Sequence, residues 1–395
     1  MIIRIMSRAR STLIVFVLWF AGLSAANQFA KVGLFLPELS SLYPNATAYH
    51  GFLLSTISVV GALLGLTAGT LALHIGLRRL LISGLLLAAT ISIVQSLQLP
   101  LWLLMATRIV EGFAHLAIVV SAPTLIATIS SQKYTPAAMT LWGTFFGVSY
   151  ALTAWLGFPL VATHGIHSLF LAHGLITTLI AILVFLLVPV KVAHNNQRAS
   201  RLSISQIIEK HVSTWTSASI SAPAFGWLFY TITFVALLAV LPGLMRPEDR
   251  SVAGTLLPLA SIFCSMFFGV ILTRLFSAVT VVCLGFTLSF FLASLLLFIP
   301  VTPLPCIALF ASLGLVQGAS FAAVPQLNKK PSEQTLANGA LAQAGNIGNF
   351  CGTPLLLWSL SAGGLAAMIA LVMACYVAAI GIHLHLFFRR RLLGG

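Results

Sequence analysis

The chain has 395 residues, of which 59% are hydrophobic and 7% charged, against about 25% charged in an ordinary soluble domain. Twenty Lys and Arg against six Asp and Glu give a formal net charge of +14, which suggests nucleic acid only if position is ignored. A spanning helix takes about 20 apolar residues, so this length holds roughly twelve spans and leaves no room for a soluble catalytic domain.

Apolar runs of spanning length lie at 11–36, 51–72, 79–97, 101–126, 137–161 and 168–189. A polar stretch from Lys191 to Ser221 follows, and then runs at 223–244, 254–273, 278–299, 304–326, 337–360 and 364–388. The first run, with Arg4 to Arg10 before it and Ser24, Ala25, Ala26 after it, imitates a cleavable signal peptide. It is retained as a span, because cleavage would break the six-plus-six symmetry.

With the N-terminus inside, the cytoplasmic segments collect Arg4, Arg8, Arg10, Arg78, Arg79, Lys133, Lys191, Arg198, Arg201, Lys210, Arg274, Lys329, Lys330, Arg389, Arg390 and Arg391, which is 16 of the 20 basic residues. That asymmetry is the positive-inside signature of a multi-pass protein. It places both termini in the cytoplasm and the loop carrying Glu248 and Asp249 outside. The whole net charge is absorbed by topology, and no nucleic-acid partner is expected. Cys264, Cys283, Cys306, Cys351 and Cys375 fall inside spans and read as packing residues. Asn45, Ala46 and Thr47 match a glycosylation acceptor that matters only in a eukaryotic secretory host. The short loops point to a bacterial inner membrane.

The halves match one another. Arg108 to Gly112 followed by Pro123 aligns with Gly314 to Gly318 followed by Pro325, and Gly157, Phe158, Pro159 aligns with Gly352, Thr353, Pro354. The expected organisation is a six-helix bundle over 1–189, a cytoplasmic linker over 190–222 and a second six-helix bundle over 223–395. Within the linker, Ile204, Ile207, Ile208 and His211 share one side, and Ser203 with Gln206 fits a capping box. A short amphipathic helix on the inner membrane surface is expected there.

These residues resemble the major facilitator superfamily. Arg108, Glu111, Gly112 and Ala114 are similar to that family's Arg-x-x-Gln-Gly-x-Gly-Ala signature, with Glu in place of Gln. Gly69, Leu71, Ala72, Gly76, Arg78 and Arg79 resemble its Gly-x-Leu-Ala-Asp-Arg-x-Gly-Arg-Arg loop, departing at Leu73 and His74. That departure removes the acidic member of the charge contact that latches the two halves in the family. Gly143, Gly147, Gly157 and Pro159 only loosely resemble the antiporter signature of drug exporters. The resemblance implies an all-α integral membrane protein, with twelve transmembrane helices in two pseudo-repeated six-helix bundles around a central cavity.

Ionisable residues inside a bilayer are costly and normally face a cavity or a partner. Arg108, Glu111 and His115 share one helical face, as an internal brace or as the proton-coupling group. Asn27, Gln28 and Lys31 sit within one turn of the first span. Lys31 either snorkels to the headgroups or faces the cavity, where with Arg108 it favours an anion. Gln343, Asn346 and Asn349 repeat at intervals of three among glycines, as glue between helices or as the lining of a passage. Trp227, Tyr230, Thr231 and Phe234 form either packing or a substrate wall. The expected substrate-binding residues are Lys31, Asn27, Gln28, Arg108, Trp227, Tyr230, Gln343 and Asn346. The expected proton-coupling residues are Glu111, Arg108 and His115.

No paired carboxylates, nucleophile with base, metal-ligand cluster or phosphate loop occurs; His383 and His385 lack a further ligand. An enzyme, a cofactor and a metal are not expected. The expected function is alternating-access secondary transport of a small anionic organic solute, coupled to protons, by a monomer in contact with lipid. The alternatives are proton-coupled export of amphipathic compounds or drugs and, from another class, a membrane receptor or assembly factor that transports nothing.

Overall fold

The computed structural model describes residues 8–68, 75–131, 133–189 and 204–394. The signature positions Gly69, Leu71, Ala72, Leu73 and His74, and the linker from Lys191 to Ser203, lie outside the described residues, as does the side chain of Gln206.

The described residues are helical, with no strand among them. Among the described residues ten helices are long and apolar enough to cross a membrane. The reason is composition: backbone polar groups in hydrocarbon must be satisfied within the segment, and a continuous apolar run does this only as a helix. In chain order the elements are α1 (Arg8–Gly33), α2 (Leu36–Ser41), α3 (His50–Leu64), α4 (Leu77–Gln95), α5 (Leu101–Ile129), α6 (Thr135–Gly143), α7 (Phe145–His164) and α8 (Ile166–Leu187). They continue with α9 (Ile204–Thr216), α10 (Ser221–Val240), α11 (Pro247–Leu275), α12 (Ala278–Leu295), α13 (Pro303–Leu327) and α14 (Pro331–Gly394).

Several expected boundaries move. The first span ends at Gly33 rather than at 36 and is followed by the separate short helix α2. The second is interrupted by a 3-10 turn at Thr56–Ser58. The fifth is divided at Thr144 into α6 and α7. The eighth begins at Pro247 rather than at 254, so Glu248 and Asp249 lie in the first turn of α11, where carboxylates complement the exposed amides of a helix start. The same helix carries a π turn at Ser265–Gly269. In α14 regular helix is broken at Gly363 and at Gly364, whose φ of +66° only glycine adopts without strain. The linker helix is longer than expected, running on from His211 to Thr216.

The chain divides into two compact units, one of Met1–Val32 and Thr67–Arg201, the other of Gly33–Leu66 and Leu202–Gly395. In the first unit α1, α4, α5, α6 and α8 share an apolar core that includes Ile14, Leu18, Leu81, Leu85, Ile118, Leu125, Trp142 and Val184. The same faces of α1, α4, α5 and α8 turn polar beyond it, at Ser24 to Lys31, Ser92 to Gln95, Thr107 to His115 and His173 to Thr177. In the second unit α3 packs on α14, with Gly51 against Pro354 and Gly61 against the Asn346 side chain. There α14 also lies so close to α10 that a Cβ at Gly348 or Gly352 would collide with Thr231 or with the Ile232 carbonyl.

Candidate functional site: a buried ion cluster in the first unit

Lys31, Arg108 and Glu111 are each 0% exposed. Ser24, Gln28 and Lys31 lie on one face of α1 by their spacings of four and three. Arg108, Glu111 and His115 lie on one face of α5 for the same reason. The two faces meet: Lys31 Nζ is 2.8 Å from Glu111 Oε1, and Arg108 Nη1 is 2.5 Å from Glu111 Oε2. One carboxylate therefore serves two cations on two helices. Lys31 does not snorkel; its ammonium is enclosed within the unit.

Burying three charges costs several kcal/mol per ion unless hydrogen bonds replace the lost water, and the neighbouring helices supply them. From α4, Ser92 Oγ and Gln95 Oε1 each accept from Lys31 Nζ at 2.9 Å, while Gln95 Nε2 donates to Glu111 Oε2 at 3.1 Å and to Thr107 Oγ1 at 3.2 Å. Arg108 Nη1 also donates to the Gln28 carbonyl at 2.7 Å. From α8, His173 Nδ1 lies 3.3 Å from Lys31 Nζ, and the Phe170 ring centroid lies 4.9 Å from the same ammonium, within cation–π range. His115 is in the cluster at one remove, its Nδ1 3.2 Å from both the Ala25 carbonyl and Gln28 Oε1. The formal charge of the three ions is +1.

The expected site residues thus separate. Lys31, Gln28, Arg108, Glu111 and His115 come together in the first unit. Asn27 turns to α7, its Nδ2 donating to Thr153 Oγ1 at 2.6 Å. Trp227 and Tyr230, in the second unit, stack on each other at 4.7 Å, and Tyr230 stacks on Phe234 at 4.7 Å. The Tyr230 hydroxyl donates to Gln317 Oε1 at 3.3 Å, as Ser261 does at 3.2 Å; Gln317 is the residue that the half-to-half alignment sets opposite Glu111. Gln343 binds α3 and α9 together, donating from Nε2 to the Ala62 carbonyl at 2.9 Å and accepting from Trp215 Nε1 at 3.2 Å. Asn346 donates to its own helix at Ala342. In these contacts Gln343 and the glycines join helices.

Three members of the cluster were missed in the sequence: Ser92, Gln95 and His173. The signal was present, because Ser92 and Gln95 stand three apart in an otherwise apolar helix, and His173 with Thr177 stands four apart in another. Each pair is weak alone, and only the convergence of Ser92, Gln95 and His173 on Lys31 marks them.

The sequence model described as Major Facilitator Superfamily matches residues 14–327. The chain belongs to the Major Facilitator Superfamily. Its match takes in the ion cluster and ends before α14 of the second unit, and with the ten apolar helices among the described residues it makes this a multi-pass membrane protein. A curated relative, the "Inner membrane transport protein YajR" of Escherichia coli (strain K12), is 27% identical over 187 residues. That similarity covers 45% of this superfamily member and 40% of the relative.

Proposed function

We propose that this chain is a secondary active transporter of the bacterial inner membrane, with twelve spans and both termini cytoplasmic. It moves a small anionic organic solute by alternating access and couples that movement to protons at Glu111. Superfamily membership and a distant relative named as an inner membrane transport protein support the transport class. The observation that carries the coupling is that Glu111, a fully buried carboxylate, is the shared partner of Lys31 and Arg108. A proton on Glu111 removes the negative charge that holds both, so protonation loosens α1 from α5 at a single point. The same arithmetic favours an anion, since two cations then stand against no carboxylate.

The test begins with a thermal-stability screen of purified protein against mono- and dicarboxylates and organic phosphates, because a specific binder raises stability by mass action. Uptake of the strongest binder into reconstituted vesicles then follows under a pH gradient. Glu111→Gln should abolish gradient-driven accumulation while exchange without net proton movement survives, and Lys31→Gln should weaken binding. Gradient-driven accumulation retained in Glu111→Gln would assign the triad to a structural brace. A cation as the sole binder would overturn the anion reading.

A further inference from the structure

Lys31 faces two bases, and the coupling scheme uses one of them. His173 Nδ1 lies 3.3 Å from Lys31 Nζ, and His173 Nε2 lies 3.0 Å from the Ser24 carbonyl. A carbonyl only accepts, so Nε2 carries the proton and the neutral ring aims the lone pair of Nδ1 at the ammonium. Ser92 fits this tautomer by accepting from Lys31 Nζ at 2.9 Å and turning its single proton to His173 Nδ1 at 2.9 Å, the Phe170 carbonyl at 2.8 Å being the other acceptor in its reach. Ser24 is fixed in turn by Thr177, hydroxyl to hydroxyl at 2.6 Å. The imidazole is thereby held from both sides with its basic nitrogen next to Lys31.

We propose that His173 is a positioning residue that takes over Lys31 when Glu111 is protonated. A carboxylate outbids an imidazole for an ammonium, and a protonated carboxyl does not. Neutralising Glu111 therefore leaves Ser92 and Gln95 of α4 as neutral acceptors at 2.9 Å and moves the basic partner of Lys31 from α5 to His173 of α8. No proton passes between Lys31 and His173: the ammonium keeps its three and the imidazole its one. Loading a proton on α5 becomes a change in which helix supplies the basic partner of Lys31.

The seat exists only while the imidazole is neutral, because an imidazolium would turn an N–H toward the ammonium. The groups around it are Lys31 from α1, Glu111 with Arg108 beside it from α5, and the uncharged Ser92 and Gln95 from α4. Arg78 of α4 is bound at the other end of that helix to the Phe185 and Val188 carbonyls. His167 is six residues away on α8 itself, and α7 carries Tyr150 and His164, neither of which bonds to the imidazole.

The inference rests on the coupling reading of Glu111, and its test needs no substrate. Purified protein is treated with an acetylating N-hydroxysuccinimide ester, and labelling of Lys31 is read by mass spectrometry relative to the exposed Lys330 of the same molecule. Wild type, His173→Gln and Glu111→Gln should all protect Lys31, the last because His173 holds it. The double variant should lose that protection, with relative labelling rising about tenfold, as expected for coupled neighbours. In the Glu111→Gln background His173→Asn, whose amide oxygen replaces the acceptor at Nδ1, should restore protection.

Full labelling of Lys31 in Glu111→Gln with His173 intact would overturn the inference, as would protection unchanged in the double variant. Should Glu111→Gln not fold, the comparison is made in Glu111→Asn and in its double variant with His173→Gln, where full labelling of Lys31 in the single variant or unchanged protection in the double one overturns it. Failure of the coupling reading alone shows differently, as gradient-driven accumulation that persists in Glu111→Gln while the protection pattern holds.

Discussion

At Glu111 one carboxylate balances two enclosed cations, and the three residues do not contribute alike. Glu111→Ala leaves Lys31 and Arg108 buried with no counter-charge, and removal of the shared partner of a buried pair costs about 3 to 5 kcal/mol. Lys31→Met instead leaves Arg108 and Glu111 as a neutral pair and fills the same space with an apolar chain. Thermal unfolding in detergent should therefore show a large loss for Glu111→Ala and a clearly smaller one for Lys31→Met. Equal losses would mean that packing, not charge balance, sets the stability of this site. The spacing of Arg108, Glu111 and His115 was legible in the sequence because helical periodicity is local. The contact of Lys31 with Glu111 was not, because it joins residues 80 apart, and no local pattern says which face of α1 turns toward α5.

At the scale of helices, glycine sets how closely α14 approaches α10. A side chain at Gly352 would meet the Ile232 carbonyl, whereas one at Gly381 of the same helix meets nothing within 4 Å. Gly352→Leu should lower the yield of folded protein and cost about 1 to 3 kcal/mol or more through overpacking. Gly381→Ala should be neutral or stabilise the helix by up to about 1 kcal/mol. Gly364→Ala should cost about 1 to 2 kcal/mol, because φ there is positive. Melting temperatures of the three variants check this ordering, and a Gly352→Leu protein as stable as Gly381→Ala would contradict it. The sequence marked the glycine stripe of 345, 348 and 352 but left its role open between packing and lining. The structure places it against Trp227, Thr231 and Ile232, which is packing.

For the whole molecule, the proposed orientation follows from the crowding of Lys and Arg into alternate loops. Reporter fusions at either terminus should be active only if they mature inside the cell, and a fusion after Asp249 only if it matures outside. The opposite pattern would reverse the assignment of every loop. Salt should have little effect on stability, because the central ions are enclosed and screening acts mainly on exposed charge. A melting temperature that falls steeply between low and high salt would place the stabilising charges at the surface instead.

Hydrophobic run length by itself determined that this chain is a helical membrane protein, since the bilayer demands internal backbone hydrogen bonding of each segment independently. Local signatures in the fourth span and in the loop after the second carried the family resemblance, which the match over residues 14–327 bears out. Only the tertiary structure decided that Lys31, Glu111, Arg108, Gln95, Ser92 and His173 form one cluster. It also decided that Tyr230 turns to Gln317 and that residues 33–66 pack with the second half of the chain. These are choices of which helix face meets which. A helix that is apolar nearly all round carries little amphipathic asymmetry to announce its buried side, so its few polar groups find their partners only when neighbouring helices, distant in sequence, are brought against them.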